Sequence, residues 1–233
     1  MTLRITWRYV VAFAALTMLC GTSHEFAHHF AGAALCGGFG TKTFNSFTLA
    51  AGCDASVVKR YWAALAGPVF TFGLMWAGYV MLRSKSEPRR MMGFALVFAN
   101  FPVNRMLFVL LGQNDEQYAG RLMFGRHPLV FWLTVVVVWG VCLPPLVEAF
   151  QQLRNQPRIA WFAAFFLLPF CFVVVFAGVL EEFVLLRHPV MATGVLGIPY
   201  LILLVEALSV VTFEVEKKWL TVGPAVEMRA IGR

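Results

Sequence analysis

The sequence predicts an all-α polytopic membrane protein: about six transmembrane helices, with a short β-hairpin-like segment between the first two. Three observations predict it. Of the 233 residues, 60% are hydrophobic and only 13% are charged, about half the charged share of soluble globular domains. The apolar residues gather into runs of about 20 or more, the length needed to cross a hydrocarbon core. The segments between these runs are short and hold most of the basic residues, and none is long enough for a separate soluble domain.

The expected spans are residues 7–35, 58–82, 91–112, 128–150, 159–180 and 190–213. Arg4 and Arg8 ahead of an apolar run resemble a signal peptide, and Cys20 invites a lipoprotein reading. Leu19 fits poorly before a lipidated cysteine, and apolar character resumes from Phe30 to Leu35, so the first span is expected to stay uncleaved. Twelve basic residues flank one side of this arrangement, Arg4, Arg83, Arg154 and Lys217 among them, against six on the other. The positive-inside rule then places both termini in the cytoplasm. The net charge of +7 lies at span ends, which is a topological pattern and argues against a nucleic-acid partner. Short loops and compact length suit an integral protein of a prokaryotic plasma membrane.

Within the first span, residues 24–28 read His-Glu-Phe-Ala-His. On a helix, His24 and His28 stand one turn apart on the same face, where two imidazoles can share one zinc ion, and Glu25 can reach a metal-bound water. With five histidines among 233 residues, chance yields roughly 0.005 such motifs, so coincidence is a poor account. Ionisable groups in a bilayer cost a few kcal/mol each and persist mainly where they do chemistry. His29 is rotated about 100° from His28 and is expected beside the metal face or toward solvent. His127 and His188 fall at span ends and read as interfacial residues.

Two histidines need a third protein ligand. The chain has two aspartates, Asp54 and Asp115. Spans one and three run parallel, and the outer end of span three carries Asp115 and Glu116. Asp115 is therefore the expected ligand, with Glu116 as the alternative.

Gly37, Gly38 and Gly40 end the first helix, and Thr43 to Leu49 is rich in strand formers. This is the expected hairpin; a sheet edge here could hold an extended peptide beside the metal. Cys36 and Cys53 bracket it on the predicted outer side, where an oxidising compartment would allow a disulfide. Ala66-Gly67-Pro68 in span two implies a kink and a close helix contact. Asn100-Phe101-Pro102-Val103-Asn104-Arg105 interrupts span three. Its asparagines could satisfy freed backbone groups or bind a substrate carbonyl, and Arg105 must snorkel, pair with a carboxylate or line a cavity.

The His24–His28 motif, the Gly-rich segment, Ala66-Gly67-Pro68 and the Asn/Pro break followed by an aspartate together resemble the site-2 protease family of intramembrane zinc metalloproteases. The likeness covers residues 7–118. It implies one Zn2+ per chain held by His24, His28 and Asp115, with Glu25 as general base and Asn100 and Pro102 at the substrate; Asn104 is a further substrate candidate from the break itself. Asp115 departs from the family pattern in being followed by Glu116 and in its distance from Pro102. The expected organisation is a three-helix metalloprotease-like core over residues 1–125 and three further spans with a short tail over 126–233. The expected partners are a membrane-protein substrate and the lipid bilayer. The alternative is a catalytically inactive protease-like scaffold or a metal-binding transporter, in which Glu148, Glu181, Glu182 and Glu206 would form an ion path.

Overall fold

The computed structural model describes residues 1–54, 56–174, 178–188 and 194–222. It is mostly helical. Four helical stretches are long and apolar enough to cross a membrane, which suggests a membrane protein. Helix α1 (Trp7–Cys36) starts where the Thr6 side chain accepts the Tyr9 amide and stops at Gly37 in the left-handed conformation. Helix α2 (Val57–Leu82) carries Pro68 inside it. Helices α3 (Glu87–Ala99) and α4 (Pro102–Leu111) together make the third of these stretches. A short α5 (Asp115–Phe124) follows, then α6 (Pro128–Gln152), the fourth.

Among the described residues, the fifth and sixth expected spans are not among these four stretches. Helix α7 (Arg158–Val173) has 16 residues, and a π-helical turn (Leu180–Leu185) follows it. The expected sixth span is shorter than its apolar run, because Gly194–Val195 (β1) and Ile198–Pro199 (β2) form an antiparallel hairpin before α8 (Tyr200–Glu216) begins. Positive φ at Leu196 and Gly197 supplies the two-residue turn that such a hairpin requires. Residues 175–177 and 190–193 of those two expected spans lie outside the described residues.

The hairpin-like segment expected between α1 and α2 is present in minimal form. Residues 41–48 double back, with Lys42 and Phe47 forming one isolated bridge and the Thr48 amide donating to Thr41 O at 2.8 Å. The regular two-stranded pairing is the later β1–β2 instead. The two hairpins join: the Lys42 amide donates to Gly197 O at 2.9 Å. Gly197 is needed twice, for its positive φ and because a Cβ there would fall on the Gly40 carbonyl. The Cys36 and Cys53 sulfurs are bonded, closing the loop at its base.

One apolar core joins the two expected halves of the chain. Tyr9 and Phe13 of α1 and Phe94 of α3 meet Phe165 of α7 edge-on at its centre, and Phe98 of α3 lies tilted against it. Helices α2 and α3 cross with backbones nearly touching, since a Cβ on Gly78 or Gly93 would come within 2.8 Å of the facing carbonyl; small residues allow this approach where lipid offers no hydrophobic driving force. The N-terminus, the 152–155 turn and Trp219 share one end of the bundle. Met1 N donates to Gln152 O, Asn155 pairs with Leu3, and Arg8 lies over Trp219.

Proline produces the break between α3 and α4. Pro102 cannot donate to the preceding turn and disfavours a helical residue before it. Asn100 ends α3, Phe101 takes φ 54°, and Pro102 opens α4 on a new axis. The new direction carries Asn104 and Arg105 toward α1 and delivers Asp115 to the first turn of α5.

Candidate functional site

Helix α1 holds His24 and His28 on its buried face, 6% and 1% exposed. The His28 Nδ1 lies 2.7 Å from the Ala63 carbonyl. A carbonyl only accepts, so Nδ1 carries the hydrogen and the Nε2 lone pair is free. A hydrogen-bonded carbonyl behind a liganding histidine fixes its tautomer and ring orientation in metal sites. Phe47 of the 41–48 loop stacks on the same ring, 4.8 Å between centroids.

Three atoms then converge. His24 Nε2 and His28 Nε2 are 3.0 Å apart, and Asp115 Oδ2 is 3.2 Å from the first and 3.5 Å from the second. Tetrahedral zinc with bonds of about 2.0–2.1 Å separates its ligand atoms by about 3.3 Å. The triangle has the size of a zinc ligand set. Glu25 stands beside it, with one ligand atom each from His24, Glu25 and His28 inside 4.8 Å. Asp115 occupies the first turn of α5, capped by Asn114, whose side chain accepts the Gln117 amide. Burial alone would raise the Asp115 carboxyl pKa, but the adjoining His24 and His28 rings and the nearby Arg105 hold it well below the usual carboxylate range.

Glu116 points elsewhere. It is 7% exposed, neither carboxylate oxygen has a hydrogen-bond partner, and its nearest cation is Arg105 at 3.9 Å. Arg105 is the cation of the site: Nη1 lies 3.3 Å from Asp115 Oδ2, and Nη2 lies 2.8 Å from His24 Nδ1.

Helix α2 supplies the back wall. Ala63, Gly67 and Thr71, four residues apart, share one face. Ala63 bonds His28, Thr71 Oγ1 approaches His24 Nδ1 at 3.4 Å, and Gly67 lies directly behind both rings. A Cβ on Gly67 would sit 2.3 Å from His28 Nε2 and 2.5 Å from His24 Cε1. The sequence signal for this wall was a small-residue stripe at four-residue spacing. Of it, only the Gly-Pro contact is read from sequence; the roles of Ala63 and Thr71 are not.

A cavity of about 430 Å³ opens on the site, lined by Thr22, Glu25, Asn45, Asn104, Arg105 and Asn114 among others. Of the three residues expected at the substrate, Asn104 lines it. Asn100 and Pro102 do not. Asn100 is 2% exposed and donates to Leu96 O at 2.7 Å, which caps the broken helix, and Pro102 is buried at the start of α4. Glu181 anchors the tip of the 41–48 loop, accepting the Asn45 amide at 3.0 Å and the Thr43 hydroxyl at 3.2 Å.

His29 is corrected from its solvent-facing alternative. It is 1% exposed, and its Nε2 donates to Leu196 O at 2.9 Å, tying α1 to the β1–β2 turn. Of the other glutamates, Glu148 accepts from Gln152, Glu181 holds the loop, and Glu206 accepts a hydrogen bond from Thr22. No family model, curated protein or solved structure matches the chain.

Proposed function

We propose that the protein is an intramembrane zinc metalloendopeptidase resembling the site-2 proteases, acting on membrane-embedded protein substrates. The observation that supports it is the convergence of His24 Nε2, His28 Nε2 and Asp115 Oδ2 at separations of 3.0–3.5 Å next to Glu25. Two imidazoles and one carboxylate are the donor set of a catalytic rather than a structural zinc site, and the Arg105 Nη2 stands 2.9 Å from His24 Nε2 beside them.

In this reading His24, His28 and Asp115 hold the ion. When bound, zinc lowers the pKa of its water and polarises the scissile carbonyl. Glu25 takes the proton of the attacking water and returns it to the leaving amine, so the carboxylate is regenerated in each cycle. Ala63 and Thr71 keep the imidazoles aimed. Asn45, Asn104 and Asn114 carry amide donors and acceptors into the cavity, which suits the backbone of a locally unwound peptide. Buried walls on α1, α2 and α4 limit water at the reacting carbonyl.

The test pairs metal content with cleavage in purified full-length protein. Wild type should retain about one zinc per chain and cleave a membrane-spanning peptide. Glu25→Gln should keep the zinc and lose cleavage by at least about a hundredfold. Undiminished cleavage in that variant rejects the mechanism.

A second reading, a protease-like scaffold without activity, draws on Arg105. Its guanidinium lies 2.8 Å from His24 Nδ1, and a cation against a ligand disfavours a second cation. Absence of zinc from wild-type protein prepared without chelator would favour it.

A further inference from the structure

A second cavity, of about 470 Å³, is lined by neither His24 nor His28 and lies where α5 turns into α6, among Gln117, Arg121, Arg126, His127, Pro128 and Phe131. Three of the six are basic. Among the described residues, no carboxylate forms an ion pair with Arg121 or Arg126. His127 Nδ1 accepts the Leu129 amide at 3.1 Å, so its Nε2 carries the hydrogen as a donor. The first turn of α6, with its positive dipole end, starts at the same place. Gln117 is 1% exposed; its Nε2 donates to Val109 O and Phe131 O, and its Oε1 is buried without a partner. The wall is thus rich in cationic donors and keeps one unused acceptor.

The surroundings identify the occupant. Helix α6 is one of the four membrane-length helices, and its first turns expose Leu129, Trp132 and Leu133 by more than half. An apolar face begins directly beside the basic cavity. A molecule that fits both has a phosphate at one end and acyl chains at the other. We propose that this cavity is a phospholipid site, in which Arg121, Arg126 and His127 bind the headgroup phosphate and the chains lie along Leu129, Trp132 and Leu133. The free Gln117 acceptor suits a headgroup that adds a hydroxyl or ammonium donor beyond the phosphate. Arginine matches phosphate with forked, charge-assisted hydrogen bonds, and interfacial basic pockets between membrane helices bind such headgroups.

Arg121 also donates to Gly112 O at 2.9 Å, at the turn that precedes Asp115. Arg126 is exposed and makes no such bond, so it is the position to change. Full-length protein in detergent is titrated with phosphatidylglycerol, with diacylglycerol of the same chains, and with inorganic phosphate, and bound adducts are measured by native mass spectrometry. Wild type should bind phosphatidylglycerol at least about tenfold more tightly than diacylglycerol. Arg126→Glu should weaken phosphatidylglycerol about tenfold or more, Arg126→Lys should weaken it less, and both should keep wild-type helicity and diacylglycerol affinity. Equal binding of the two lipids, or an unchanged Arg126→Glu, overturns the site. Inorganic phosphate at millimolar concentration displacing the lipid completely overturns the lipid source in favour of a free anion. Neither outcome depends on zinc or on proteolysis.

Discussion

Gly67→Ala is the sharpest probe of the candidate site, because the three atoms nearest the added methyl all belong to the two histidines. Its Cβ would lie 2.3 Å from His28 Nε2, with His24 Cε1 at 2.5 Å and His24 Nδ1 at 2.7 Å. Non-bonded atoms settle at about 3.5 Å or more, so one or both rings must retreat by about 1 Å. Metal–ligand distances tolerate about 0.2 Å, and disturbing the support of a ligand typically costs about 10- to 100-fold in affinity. Loss of ligand convergence here should reach the upper end, at least about a hundredfold. Folding is affected less: alanine in place of a helical glycine favours the helix by about 1 kcal/mol, and overpacking opposes it by about 1–3 kcal/mol. Zinc content by mass spectrometry, with competition against a chelator, reads the affinity, and thermal unfolding reads the fold. Gly73→Ala is the control, because a Cβ at Gly73 meets nothing within 4 Å on the same helix; it should bind zinc as wild type does. Zinc affinity in Gly67→Ala within twofold of wild type would refute the placement of α2 behind the histidines.

Further expectations concern the ligands, the loop and its lysine. Asp115→Asn should lose zinc, whereas Glu116→Gln should retain it, because only Asp115 Oδ2 reaches both imidazoles; equal loss in both would reverse the assignment. Replacing Cys36 and Cys53 with serine opens a loop with a sequence separation of 17, which should cost about 3 kcal/mol and lower the melting temperature under non-reducing conditions only. Lys42 is 1% exposed, and burial lowers its pKa from 10.5 to about 8 against the opposing pull of Glu25, Glu206 and Glu181. The unfolded chain therefore binds the proton more tightly, and the penalty on folding is full below about pH 8 and fades as pH rises toward 10.5. The stability of wild type minus that of Lys42→Met should climb between those values; a flat difference would contradict the burial.

The motif from His24 to His28 was legible because it is local. Its five residues lie on one helix, so spacing alone puts both imidazoles on one face. Asp115 could be narrowed from sequence because aspartates are scarce and parallel spans match depths. Its competition with Glu116 was not resolvable, since adjacent residues on a helix differ by about 100° and the rotation of α5 depends on the Asn114 cap. The Asn/Pro break was visible as a break. Whether its side chains face a substrate was not, because Asn100 turned back to Leu96 O while Asn104, one turn on, faces the cavity.

Sequence by itself determined the four membrane-length helical stretches and the pairing of His24 with His28 on one helix face, which rest on local hydropathy, helical periodicity and i, i+4 spacing. Tertiary structure decided the rest. The β pairing lies at 194–199, because two positive-φ residues make that turn and the earlier loop instead docks on Gly197. The wall behind the histidines, Ala63, Gly67 and Thr71, and the cation Arg105 came to the site only through helix packing. Which surfaces meet across helices far apart in the chain depends on close approach and shape, and the local pattern of residues does not encode those directly.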